Sequence, residues 1–125
     1  MSSMARNLVR LSTAIFIVIG VGYLLVPGAM LSVVGIPSTP TADFLLRTLG
    51  VAFVSFAWLL WGVRNAPPAL LRNALTALAA YYFLSSAVDV AASLQGIVGA
   101  ASIPSAIARV AIGGLCLWSI TRIPT

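Results

Sequence analysis

The sequence lacks most of the side chains that proteins use for acid–base and metal chemistry. Its 125 residues include no histidine, no lysine, one cysteine, Cys116, and two carboxylates, Asp43 and Asp89. Without histidine or a cysteine cluster, the chain cannot form the common zinc sites or bind haem iron through an imidazole. It also contains no glycine-rich phosphate loop and no nucleophile–base pair. The composition predicts a protein that is not an enzyme, binds no metal and carries no cofactor beyond a bound lipid or other apolar ligand.

Charge is also scarce, whereas long apolar runs are abundant. Charged residues make up 7% of the chain and hydrophobic ones 61%, and the mean hydropathy is +1.10. A helix needs about 20 apolar residues to cross a hydrocarbon core about 30 Å thick. Four windows satisfy this, at about residues 9–33, 44–63, 70–94 and 104–121. Because the loops between them are short, the sequence predicts a single domain, residues 1–125, folded as an all-α integral membrane four-helix bundle with antiparallel neighbours.

The positive charges lie at the predicted helix ends rather than in one patch, which argues against a nucleic-acid partner. Residues 34–43 and 95–103, the two loops on the far side of the bundle, contain no lysine or arginine. By the positive-inside rule, we expect both termini to lie in the cytoplasm. The arginines on the cytoplasmic side are Arg6, Arg10, Arg64, Arg72 and Arg122. Aromatic residues that would anchor helices at the membrane boundaries are Trp61, Trp118 and Tyr23.

Asp89 lies in the apolar stretch SSAVDVAAS, residues 85–93, where an isolated charge is unfavourable. It is 17 residues from Arg72, and Arg47 is 17 residues from Arg64. At 1.5 Å per helical residue, both charges should lie about 25 Å from the cytoplasmic boundary. Asp89 and Arg47 are therefore predicted to reach nearly the same depth.

We predict that these residues form an intramembrane ion cluster in which Asp89 binds both Arg47 and Arg109. Asp43 lies one turn before Arg47 and would join the rim of the cluster. Serines within one turn of Asp89 would donate hydroxyls to its remaining lone pairs: Ser85, Ser86 and Ser93. Such a cluster can serve either to fix helix register or to perform a function.

Small residues in three of the predicted helices favour close backbone packing. They are Gly20, Gly22, Ala87, Ala91, Gly113 and Gly114. The alternative is a cavity for a lipid tail, quinone or pigment, with walls formed by Phe53, Phe56, Tyr81, Tyr82 and Phe83.

The spacing of arginines is compatible with an internal repeat. Arg10 and Arg47 are 37 residues apart, as are Arg72 and Arg109, so the two helical hairpins align with an offset of 62. Both hairpins would run in the same direction, which makes the repeat parallel, about an axis along the membrane normal.

The segments YLLVPGAMLSVVGIP and DFLLRTLGVAF resemble a group of small bacterial four-span proteins of unknown function, which share the layout of DoxX-like membrane proteins. The resemblance covers about residues 8–121 and includes the Arg47-x-x-Gly50 start of the second helix. Where such families have an acidic residue in the fourth helix, this chain has Arg109. The resemblance implies a fold rather than an activity, and with it an integral protein of a bacterial inner (plasma) membrane.

Three functional classes follow from these features. The first is an accessory or interaction subunit that packs on a larger membrane protein complex or on itself as a homo-oligomer, with membrane lipids as its other partners. The second is a binder or carrier of an apolar ligand, such as a lipid, quinone or pigment. The third is a small proton-coupled transporter that uses Asp89. The absence of chemistry-bearing residues and of a soluble domain favours the first class.

Overall fold

The computed structural model describes residues 3–99 and 101–123, and all the regular secondary structure in this part of the chain is helical, with no strand. The helices are α1 (Ser3–Leu25), α2 (Pro27–Val33), α3 (Pro40–Val63), α4 (Pro68–Leu94) and α5 (Ser102–Thr121). The four long helices, α1, α3, α4 and α5, are each long and apolar enough to cross a membrane. The prediction of an all-helical chain with four long apolar helices is confirmed.

The first predicted helix, at residues 9–33, is wrong as a single element. The chain is already helical at Ser3, α1 ends at Leu25, and a separate short helix begins at Pro27. Val26 between them has φ −135° and ψ 58°, outside the helical region. Proline explains the break, because Pro27 has no N–H to donate and its ring collides with the preceding turn.

The other helices begin two to four residues before their predicted starts at 44, 70 and 104. Pro40 and Pro68 are the first residues of α3 and α4, where proline's missing N–H has no helical partner to lose. Thr39 caps α3, since its hydroxyl accepts a hydrogen bond from the Ala42 N–H at 3.1 Å.

Two helix pairs form the bundle. We call α1 with α3 hairpin 1 and α4 with α5 hairpin 2. The Arg6 guanidinium donates to the Arg64 carbonyl at 2.9 Å, and the Arg72 guanidinium donates to the Ile123 carbonyl at 3.1 Å. Each bond joins the first helix of a hairpin to the end of its second helix. Residues of the paired helices therefore meet in opposite chain order.

The hairpins meet through α1, which contacts α4 and α5, and through a smaller contact between α3 and α4. At their junction, the rings of Phe16 and Phe53 in hairpin 1 pack edge to face with the ring of Tyr81 in hairpin 2, with centroids 4.9–5.9 Å apart. The hydroxyls of Ser12 and Tyr82, both buried, share a hydrogen bond of 2.7 Å across the same junction. Apolar packing and one polar link thus hold the two hairpins together.

We expect Tyr82→Phe to lower the free energy of unfolding by about 1 kcal/mol, because it leaves the buried Ser12 hydroxyl without a partner. Unfolding by SDS in mixed micelles measures this change. The double variant Ser12→Ala/Tyr82→Phe should be more stable than Tyr82→Phe alone, since it removes both polar groups. Equal losses in the single and double variants would contradict an energetic role for the bond.

Both hairpins turn with the same backbone motif. Gly35 follows α2 with φ +78° and Gly96 follows α4 with φ +74°, a conformation that glycine adopts without strain. The Ile36 N–H donates to the Leu31 carbonyl at 3.0 Å, and the Ile97 N–H donates to the Ala92 carbonyl at 2.9 Å. The two turns share the pattern Ser-x-x-Gly-Ile, at residues 32–36 and 93–97. This likeness supports the repeat, with an offset of 61 where the arginines give 62.

Candidate functional site

Asp89 and Arg109 form an ion pair between α4 and α5. A guanidinium nitrogen of Arg109 donates to a carboxylate oxygen of Asp89, and the Arg109 Nε–H donates to the Ser105 carbonyl at 3.3 Å. The side chains retain 18% (Arg109) and 30% (Asp89) of their accessible surface, so the pair is largely enclosed. The buried seam between α4 and α5 therefore contains two charges that compensate each other.

Arg47 is not part of this pair, so the three-membered cluster predicted from depth alone is wrong in that respect. Its side chain is exposed and makes no hydrogen bond or ion pair with the described residues. Asp43, predicted at the rim, accepts a bifurcated hydrogen bond from the Ser38 hydroxyl, with its two carboxylate oxygens at 2.8 and 3.1 Å, rather than pairing with Arg47. Residue counts predict how far along α3 Arg47 lies, but not the side of the helix on which its side chain lies.

The predicted serine shell of Asp89 is also wrong. Ser86 donates to the carbonyls of Tyr82 at 2.7 Å and Ala106 at 3.1 Å, and Ser85 donates to the Tyr82 carbonyl at 3.3 Å. Ser93 makes no side-chain hydrogen bond within the described residues. A serine inside a helix readily bonds the carbonyl one turn earlier, which competes with a bond to a neighbouring side chain.

Two tyrosines that the sequence did not indicate belong to the surroundings of the ion pair. Arg109 lies close enough to the hydroxyls of Tyr23 and Tyr81 to act on both electrostatically, and Ser85 lies beside the Tyr81 hydroxyl. Tyr23 was predicted as a boundary anchor, but it is half-buried and its ring packs on Phe53 at 5.7 Å. The two tyrosines belong to different hairpins, so only the tertiary structure shows that they lie near the same ion pair.

The arrangement has limited chemical capability. The carboxylate is bound to the Arg109 guanidinium, which compensates its charge. Cys116 is buried, and the residues that the structure describes contain no group of three acidic, histidine or cysteine side chains able to hold a metal ion. The site fits charge compensation better than catalysis.

Of the four glycines predicted for packing, Gly20 and Gly113 lie in close contacts between long helices, whereas Gly22 and Gly114 do not. Gly20 and Gly50 bring α1 and α3 together, because a Cβ on Gly50 would lie 2.8 Å from the Gly20 carbonyl oxygen. Gly113 packs against Phe83 and Tyr82, because a Cβ on Gly113 would lie 3.2–3.3 Å from atoms of these two side chains. Gly22 instead contacts the Met30 side chain of the short helix α2, and Gly114 faces open space, so neither brings two of the long helices together.

Ala87 and Ala91, predicted for helix packing, are exposed and line an open groove on the outside of hairpin 2. The volume of the groove is about 590 Å³. It lies between α4 and α5, and no charged residue lines it. We call it the α4/α5 groove; its lining includes Ala87, Val90, Ala91, Ala106, Ile107 and Val110.

Trp61 and Trp118 lie near the ends of α3 and α5, as predicted, and are about half exposed. The Arg64 guanidinium lies 3.8 Å from the Trp61 ring centroid, and that of Arg122 lies 4.7 Å from the Trp118 ring centroid. Each hairpin therefore ends in a tryptophan stacked with an arginine, a combination suited to a membrane boundary.

Comparison of this chain with protein-family models, curated proteins and solved structures gives no significant match. The resemblance to DoxX-like proteins remains a prediction from the residues alone.

Proposed function

We propose that this protein is a non-catalytic membrane subunit that binds a transmembrane helix in its α4/α5 groove. The helix belongs either to a larger membrane protein complex or to a second copy of the chain. The four long apolar helices support insertion in a membrane, and the arginine distribution supports a topology with both termini in the cytoplasm.

The open shape of the α4/α5 groove carries the proposal. Its alanines leave room for a close approach, as small residues do at helix–helix contacts in membranes. Ser86, which also lines it, already uses its hydroxyl on two carbonyls, so the groove offers an almost wholly apolar surface. A long apolar groove without charges matches the apolar face of a membrane helix.

An apolar small molecule is the second candidate for the same groove. A volume of about 590 Å³ is sufficient for a lipid tail or a quinone ring. Ligand sites usually enclose most of the ligand surface, however, and this groove is open. The shape therefore favours a helix over a carried ligand.

The proton-coupled transporter is supported least. That function requires a carboxylate that gains and loses protons during the cycle, and Asp89 is held by Arg109. The ion pair is better suited to fixing α4 against α5.

We expect Ala87→Phe to fill the α4/α5 groove and to abolish binding of the partner helix without unfolding the bundle, because Ala87 is exposed. The matched control is Leu84→Phe, at a residue of α4 that is 67% exposed and outside the groove lining. The measurement is native mass spectrometry after gentle extraction, with thermal unfolding of both variants to check folding.

The proposal is supported if the wild-type protein forms a stoichiometric protein complex or a homo-oligomer, and if Ala87→Phe abolishes this assembly whereas Leu84→Phe retains it. A protein that is monomeric and alone in its wild-type form, or a complex that Ala87→Phe leaves intact, overturns it. A monomer that retains one recurrent apolar molecule, sensitive to Ala87→Phe, would assign the groove to a ligand instead.

A further inference from the structure

A second pocket lies at the opposite end of the bundle from the hairpin turns, where α5 ends beside the start of α1. Its volume is about 240 Å³, and it is lined by Met4, Ala5, Trp118, Ser119 and Arg122. It is separate from the α4/α5 groove and from the Asp89–Arg109 pair.

Ser119 is the unusual residue of this pocket. It is 1% exposed, and its hydroxyl is the buried side-chain polar atom without a hydrogen-bond partner in the described part of the chain. A buried hydroxyl without a partner is unfavourable and rare in native structures, and it commonly indicates a site that binds a further polar group. The pocket therefore contains a donor that lacks an acceptor.

Arg122 provides the charge. Among the described residues, its guanidinium makes no hydrogen bond or ion pair and only stacks on Trp118. The negative end of the α5 dipole opposes an anion here, and the Arg72 guanidinium, which donates to the Ile123 carbonyl, satisfies one of the carbonyls at this helix end. The pocket thus has a cation, a hydroxyl donor and an indole of the kind found at lipid headgroup level.

Hairpin 1 provides an internal comparison. Arg64 stacks on Trp61 in the same way, but its guanidinium also donates to the Trp61 carbonyl. Neither residue lines this pocket. Two similar Trp–Arg pairs therefore differ in whether the cation is available.

We propose that Ser119 and Arg122 bind the phosphate of an anionic phospholipid headgroup in this pocket. Arg122 donates charge-assisted hydrogen bonds to the phosphate oxygens, Ser119 donates one more, and Trp118 packs beside the glycerol. The inference rests on the proposal that the four long helices span a membrane, because this places the ends of α3 and α5 at its boundary.

The test is a native mass-spectrometric titration of the full chain in detergent with dioleoylphosphatidylglycerol. We expect Arg122→Gln to weaken binding about tenfold or more, and Ser119→Ala to weaken it about threefold to tenfold. Arg64→Gln is the matched control and should stay within about twofold of wild type. Lipid-free Ser119→Ala should be at least as stable as wild type to heat, since it loses an unpaired buried hydroxyl.

Three results would each overturn the site. They are equal losses of lipid binding in Arg64→Gln and Arg122→Gln, no loss of lipid binding in Ser119→Ala, and binding of dioleoylphosphatidylcholine as tight as that of dioleoylphosphatidylglycerol. Inorganic phosphate tested alone distinguishes the two sources of the group: phosphate binding that depends on Ser119 and Arg122, without lipid binding, rules out the lipid. Extraction of the protein from membranes by alkaline carbonate would contradict membrane insertion itself. Retention in the membrane together with unchanged lipid binding in the variants would overturn only this inference.

Discussion

Asp89→Asn is expected to lower the free energy of unfolding by about 2–3 kcal/mol, because it leaves the Arg109 charge without its counterion in a largely enclosed site. Breaking a fully buried ion pair by removing one partner usually costs more than this, and the residual exposure of both side chains reduces the effect. The charge of Arg109 would remain inside a region that we propose to lie in the membrane, where an uncompensated ion is strongly disfavoured.

Unfolding by SDS in mixed micelles measures this loss, and a double-mutant cycle isolates its cause. Asp89→Asn/Arg109→Gln should recover most of the stability lost by either single variant, because it removes both charges. Arg47→Gln is the control and should change stability by less than about 0.5 kcal/mol, since Arg47 is exposed and unpaired among the described residues. A loss in Arg47→Gln as large as that in Arg109→Gln would restore the three-membered cluster.

Gly50→Ala is expected to destabilise hairpin 1 by about 1–3 kcal/mol through overpacking. The added Cβ would lie 2.8 Å from the Gly20 carbonyl oxygen, 3.0 Å from the Tyr23 Cβ and 3.1 Å from the Leu24 Cγ. The first of these atoms is backbone, so a rotamer change cannot relieve the contact and α1 must move away from α3.

Gly114→Ala is the matched control for Gly50→Ala, because nothing lies within 4 Å of the Cβ that it adds. It should leave stability unchanged or raise it by up to about 1 kcal/mol, the usual advantage of alanine within a helix. Both variants are compared by the same SDS unfolding measurement. A Gly50→Ala protein as stable as Gly114→Ala would show that α1 and α3 do not cross closely at this position.

The internal repeat shows how the sequence signal and the structure complement each other. The arginine spacing predicts it with an offset of 62, and the shared Ser-x-x-Gly-Ile turns at residues 32–36 and 93–97 are a second sequence signal. Their meaning depends on the positive φ of Gly35 and Gly96, which identifies them as equivalent helix ends. The turns align with an offset of 61, and the arginines on both sides of them align with an offset of 62.

The sequence predicts only part of the candidate site, and the reason is geometric. Counting residues along a helix gives the depth of a side chain, since each residue adds about 1.5 Å. The direction in which that side chain points depends on how the helix is rotated against its neighbours, and packing sets that rotation. Asp89 and Arg109 face each other across the α4–α5 seam, whereas Arg47 faces outward and Tyr23 turns inward onto Phe53.

The sequence by itself determined the class of the molecule: an all-helical chain with four long apolar helices and almost no reactive side chains. These properties follow from composition and from the length of apolar runs, which are local. The tertiary structure alone decided which charges pair, which small residues join helices and which line a groove, and that Ser119 is buried without a partner. Those outcomes depend on the rotation and crossing of the helices. Close packing involves segments that are distant in the sequence, so the pattern of a single segment does not determine it.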